Sequence, residues 1–143
     1  MLLKRISLLL PLAIAAALVS TVAPVAAAPG HASVVIRHQV RGCHSWSVNG
    51  GAFKASRTIT LRHGGSFVVT NSDVMPHKLI RTSGPALRLV RPMLSHMGMS
   101  TKVTLTRPGT YHFTTKPGED YPGMTNLKTI GEDNVLKLTV VVT

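Results

Sequence analysis

Residues 57–71 read RTITLRHGGSFVVTN. Polar and apolar residues alternate over 57–62, which is the period-2 signature of a half-buried β-strand. The apolar, β-branched run 66–71 indicates a second strand, and the intervening His63-Gly64-Gly65 is a turn signal. We predict that these two strands pair with each other.

Short strands separated by turns account for most of the remaining chain. No stretch has the 3.6-residue periodicity of an amphipathic helix. About seven strands at this spacing, the first beginning near Ser33, are typical of an antiparallel β-sandwich or barrel. The strand-like runs are 33–38, 57–62, 66–71, 78–81, 102–106, 109–114 and 135–142.

The first 27 residues have the composition of a secretory signal peptide. Lys4 and Arg5 precede a nearly uncharged apolar run, residues 6–25, and small residues follow it. We predict cleavage after Ala27, with Ala32 as another option and an uncleaved membrane anchor as the alternative. Residues 28–143 would then form one domain with 14 basic and 5 acidic residues, a formal charge of +9.

Composition excludes several functional classes. One cysteine rules out an intramolecular disulfide framework and a Cys-rich zinc module, and five carboxylates leave little material for a two-carboxylate hydrolase. No pattern resembles a nucleophile with a base and an oxyanion hole, so we expect no enzyme activity. An aromatic content of 4% offers few stacking platforms for nucleic acid. The scattered basic residues fit peripheral contact with an anionic cell envelope or an acidic redox partner.

The single cysteine, Cys43, stands out in a protein expected to be exported. An unpaired thiol is a liability in an oxidising compartment unless it is buried, forms a dimer or binds a metal. Gly42 and His44 flank it, which indicates a loop and not a core strand.

Two stretches resemble the cupredoxin family. Asn71 followed by Asp73-Val74-Met75-Pro76-His77 is similar to the first copper-ligand loop of cupredoxins, which carries an Asn ahead of a Pro-His pair. Residues 106–113, TRPGTYHF, resemble the strand that leads into the family's second ligand loop. The resemblance spans Ser33 to Val142 and implies an all-β, antiparallel Greek-key sandwich.

The second ligand loop departs from the family pattern. Thr115 stands at the place of the family's Cys and Gly118 at the place of its His, and Met124 remains near the place of its Met. A blue-copper centre needs a thiolate and two imidazoles with a weak axial thioether. This loop therefore cannot supply the usual ligands.

Other loops compensate for the missing ligands in the architecture that the resemblance implies. The segment with Cys43 and the segment 93–99 would lie at the same end as the two ligand loops. We predict a metal site formed by Cys43 and His77 with Met124 as a weaker ligand. The further candidates for this site are Glu119, Met97 and Met99, followed by His44 and His96.

Ligand softness predicts the metal. Thiolate, imidazole and thioether together favour copper over calcium, magnesium or manganese, and zinc has little use for Met. The sequence thus indicates a secreted or periplasmic copper protein for electron transfer or copper carriage, with a redox or copper-exchange partner. The alternative is a cupredoxin-like sandwich that binds no metal and serves as an extracellular binding module.

Overall fold

The computed structural model describes residues 27–38, 44–117 and 136–143. These residues form β-strands and turns, with no helix among them, so the all-β prediction is confirmed. The described strands are β1 (His31–His38), β2 (His44–Val48), β3 (Ser56–Leu61), β4 (Ser66–Asn71), β5 (His77–Ser83), β6 (Met93–Leu94), β7 (Ser100–Thr104), β8 (Gly109–Pro117) and β9 (Lys137–Val142).

The strands form two sheets that enclose one core. One sheet has the order β2-β1-β4-β7 and the other has the order β3-β9-β8-β5-β6. All seven strands expected from the sequence are present, and the short β2 and β6 are additional. Both sheets are mixed and not purely antiparallel, because β1 runs parallel to β4 and β3 runs parallel to β9.

The predicted pairing of the two strands in 57–71 is wrong. β3 and β4 belong to different sheets, and the turn between them carries the chain from one sheet to the other. Backbone groups of the turn bond to other parts of the chain: His63 N–H donates to the Thr143 carbonyl at 2.7 Å, and Gly64 N–H donates to the Leu105 carbonyl at 3.0 Å. Alternation identifies which face of a strand is buried, but it does not identify the neighbouring strand.

The core lies between the inward faces of the two sheets. Phe67 on β4 meets Phe113 on β8 edge to face, with ring centroids 5.2 Å apart. Trp46 on β2 is fully buried, and its indole N–H donates to the Ala55 carbonyl at 3.1 Å. Trp46 therefore packs in the core.

The predicted signal peptide lies at the N-terminal end of the chain. Residues 1–26 lie outside the described part of the chain, so the signal peptide, its cleavage after Ala27 and the domain limits remain predictions. Within the described ranges, no helix has the length and apolarity needed to cross a bilayer.

We expect Phe67→Ala to lower the free energy of unfolding by about 3–5 kcal/mol, because it leaves a cavity beside Phe113. Phe53→Ala is the matched control, since Phe53 is only half-buried beneath the Arg37 guanidinium. Urea denaturation of both variants measures the difference. An equal loss in the two would mean that the Phe67–Phe113 contact is not central to the core.

Candidate metal centre

A buried carboxylate joins two histidines at one end of the sandwich. His44 Nδ1–H and His77 Nε2–H both donate to Asp73 Oδ2, at 2.9 and 3.1 Å. The two imidazole rings are T-shaped with centroids 4.9 Å apart. Relative exposure is 6% for His44, 1% for Asp73 and 0% for His77, so this network is shielded from water.

Asn71 shapes the loop that carries Asp73. The Asn71 amide group donates to the Met75 carbonyl at 2.8 Å and to the Leu94 carbonyl at 3.1 Å. Its side-chain oxygen accepts the Asp73 N–H at 2.8 Å, an Asx turn that orients the following carboxylate. Asp73 Oδ1 in turn accepts the Met75 N–H at 3.2 Å.

A third histidine lies beside this network. His38 is the cross-strand partner of His44 in the β1–β2 ladder, and their ring centroids are 6.2 Å apart. One potential ligand atom from each of His38, His44 and Asp73 lies within 4.8 Å of the others. His38 is exposed, whereas the other two residues are buried. We call His38, His44, Asp73 and His77 together the histidine pole.

The charge of Asp73 is stabilised inside the fold. Burial by itself raises the pKa of this carboxyl. Hydrogen bonds from the Met75 amide and from the imidazoles of His77 and His44 lower the pKa by more, so it lies below the ordinary value for aspartate. Asp73 is also the only acidic residue in the described part of the chain, because the other four lie between 119 and 133.

Some of the ligands predicted from the sequence meet at this pole. His77, a principal candidate, and His44, a weaker one, share the Asp73 carboxylate. Cys43, Glu119 and Met124 lie outside the described residues, so their place in the site remains a prediction.

The turn after β6 carries three other predicted ligands. It is tied to the pole because Asn71 N–H donates to the Met99 carbonyl at 2.9 Å. Met97 is 55% exposed, and His96 is also exposed, with Nδ1 3.0 Å from the Met97 carbonyl. The Met99 sulfur accepts hydrogen bonds from the Ser95 amide at 3.3 Å and from the Ser95 hydroxyl at 3.0 Å. These contacts are local to the turn.

No sequence pattern predicted a role for Asp73 or His38. Asp73 had a detectable signal, since it is an isolated acid in a basic chain and precedes His77 by four residues. His38 had none, because its proximity to His44 results from strand pairing across residues 39–43.

Comparison with known proteins gives matches among solved structures only. The chain matches no protein-family model. It also matches no curated protein. Structure comparison returns a purple cupredoxin from Nitrosopumilus maritimus, at 18% identity and TM-score 0.44 over 76% of this chain and 97% of that one. It also returns a reduced amicyanin mutant, at 18% identity and TM-score 0.43 over 78% and 82% of the two chains.

A larger protein is similar over part of its length. A multicopper oxidase variant from Aquifex aeolicus aligns at 13% identity and TM-score 0.48, over 82% of this chain and 29% of that one. Because identities and TM-scores are low, the ligands and the activity of this chain have to follow from its own residues.

The donor set of the histidine pole fits a transition metal. Imidazole is a good ligand for copper, zinc, nickel and iron, and metal-bound histidines commonly donate their other N–H to a carboxylate. Asp73 holds His44 and His77 in that manner. The described residues therefore provide oriented nitrogen donors at the end of the sandwich.

We expect Asp73→Asn to destabilise the protein at pH 7 by about 1.5–3 kcal/mol for each charge-assisted hydrogen bond lost. The folded pKa of Asp73 is lowered, so its stabilisation is complete above the ordinary carboxyl pKa and disappears as the pH falls through the folded pKa. The difference in unfolding free energy between wild type and variant should therefore shrink from pH 5 towards pH 2. Urea titrations of chelator-treated protein measure it.

Wild type and variant both retain the other four carboxylates, so the difference between their unfolding free energies reports the titration of Asp73 alone. A difference that stays constant over this pH range would contradict a stabilising charge on Asp73.

Proposed function

We propose that this chain is an exported, cupredoxin-like copper-binding protein that carries electrons or copper. The observation that carries the proposal is the buried His77 imidazole, fixed by Asp73 and 4.9 Å from the His44 ring. His77 is also the histidine of the Asn-to-Pro-His loop that resembles a copper-ligand loop. Burial and orientation of this kind suit a metal ligand that must keep its position.

Soft donors complete the proposed ligand set. Cys43 directly precedes His44, so a thiol is one residue along the chain from a buried imidazole of the pole. A thiolate with imidazoles selects copper, and Met124 would add a weak thioether. Glu119, Met97, Met99 and His96 are the remaining candidates for the shell.

The roles of the residues follow from the hydrogen bonds at the pole. Bound copper would supply a one-electron change of oxidation state. Asp73 holds the His44 and His77 rings in one orientation, and Asn71 holds Asp73. Because the two histidines begin β2 and β5, the sheets limit their movement when the charge at the site changes.

The surface charge supports a partner of opposite sign. Asp73 is buried, so the exposed charged residues of the described part are Lys and Arg side chains. Such a surface favours encounter with an acidic redox or copper-exchange protein, or with an anionic envelope outside the cytoplasm.

We expect one Cu(II) per chain in the protein isolated from an exporting host, with intense visible absorption from thiolate-to-copper charge transfer. Cys43→Ser should abolish this band, and His77→Ala should weaken copper binding at least about tenfold, because each removes a principal ligand. Met124→Leu should mainly shift the reduction potential. Absorption spectra and competition titrations measure these effects.

His63→Ala is the matched control, since His63 is exposed and lies in the β3–β4 turn, where Nε2 is 2.9 Å from the Thr106 carbonyl. Unchanged spectrum and affinity in Cys43→Ser would refute the thiolate centre. Failure of the wild-type protein to bind copper would favour the metal-free binding module.

A further inference from the structure

We propose that His38, His44 and Asp73 form a second metal site, for a divalent ion of borderline softness such as Zn(II), which requires neither Cys43 nor Met124. It shares His44 with the candidate ligands of the thiolate centre, but it does not depend on that centre, because it stands on the geometry of described residues alone. Two imidazoles and a carboxylate form a ligand set that zinc accepts.

Strand pairing places the two histidines side by side. His38 is the last residue of β1, His44 is the first residue of β2, and they are direct partners in the antiparallel ladder. Directly opposed residues of a ladder point to the same face of the sheet, with Cβ atoms about 4.5–5.5 Å apart. The adjacent pair, Arg37 with Ser45, continues the ladder and keeps this register.

The carboxylate is anchored to the same strands. Ser72 N–H donates to the Ile36 carbonyl at 2.8 Å, which ties the residue before Asp73 to β1 two residues before His38. The Asn71 side chain accepts the Asp73 N–H, so both ends of this connection are fixed. Strand pairing and backbone hydrogen bonds therefore hold the three donors next to one another.

The distances are close to those that a metal requires. Zinc bonds of about 2.0–2.2 Å to nitrogen and oxygen in a tetrahedral arrangement separate the donor atoms by about 3.3 Å. All three donors lie within 4.8 Å, and His44 Nδ1 is 2.9 Å from Asp73 Oδ2, where zinc would replace the hydrogen bond while the imidazole proton moves to Nε2. His38 is exposed, so its ring has room for the remaining movement of about 1–2 Å, which is less than a change of rotamer produces.

The charge and the surroundings of the three donors also suit a divalent cation. Asp73 supplies the negative charge that a divalent cation needs, and His77 Nε2–H continues to orient the carboxylate from the buried side. Three protein ligands leave one position of a tetrahedral ion for water or an exchanging ligand. Because His38 is exposed, an ion at this site could be taken up and released from the surface.

The test uses the Cys43→Ser protein from an exporting host, because the thiol is then removed as a competing ligand. We expect calorimetric titration with Zn(II) to show one ion per chain, and Co(II) to give the visible bands of a four-coordinate site. His38→Ala in this background should lower zinc affinity at least about tenfold, with unfolding by urea unchanged, since the side chain is exposed. Asp73→Asn should lower the affinity as well.

His112→Ala is the control, since this exposed histidine is on β8 beside Thr139. The proposal is overturned if Cys43→Ser binds no zinc, or if His38→Ala binds zinc as the parent does. In the latter case zinc binds without His38, and the site of His38, His44 and Asp73 is wrong. Loss of the copper band in Cys43→Ser with zinc binding retained would support both sites. An unchanged copper band in Cys43→Ser would refute the thiolate centre without contradicting the zinc site.

Discussion

The histidine pole depends on keeping one ionised carboxylate, that of Asp73, inside the protein. A buried carboxylate without partners is strongly disfavoured, and it persists here because the Met75 amide and two imidazoles donate hydrogen bonds to it. The same bonds fix the rings of His44 and His77. Stabilisation of the charge and orientation of the two imidazoles are therefore one interaction, and loss of the carboxylate would remove one hydrogen bond from each ring.

Asn71 connects this interaction to the rest of the fold. Its side chain bonds the loop that leaves β4 and the carbonyl of Leu94 on β6, while its backbone bonds Met99. β4 and β6 belong to different sheets, so one buried amide joins the two sheets at the end where the histidines lie. Interior polar groups of this kind restrict a structure to one arrangement, because a displaced partner would be left unsatisfied.

The pole combines a buried donor and an exposed one on either side of the carboxylate. His77 is fully buried and suits a ligand that must remain fixed, whereas His38 is exposed and suits a site that exchanges its ion. The softness of the donors determines which ion each of the two proposed sites would bind. Thiolate and thioether favour copper, and imidazole with carboxylate accepts zinc.

Seven strands could be placed from the sequence, since alternation of polar and apolar residues reports which side chains are buried. The resemblance of the segment from Asn71 to Pro76-His77 to a copper-ligand loop also pointed to His77, whose role as a ligand stays a prediction. Long-range packing, in contrast, decided that β3 and β4 lie in different sheets and that two strand pairs are parallel. It likewise decided that His38 and His44 are neighbours, and that Asp73 is the residue that joins them to His77. These features depend on which strands pair and in what register, and that choice arises from packing between segments far apart in the chain, which a local pattern does not encode.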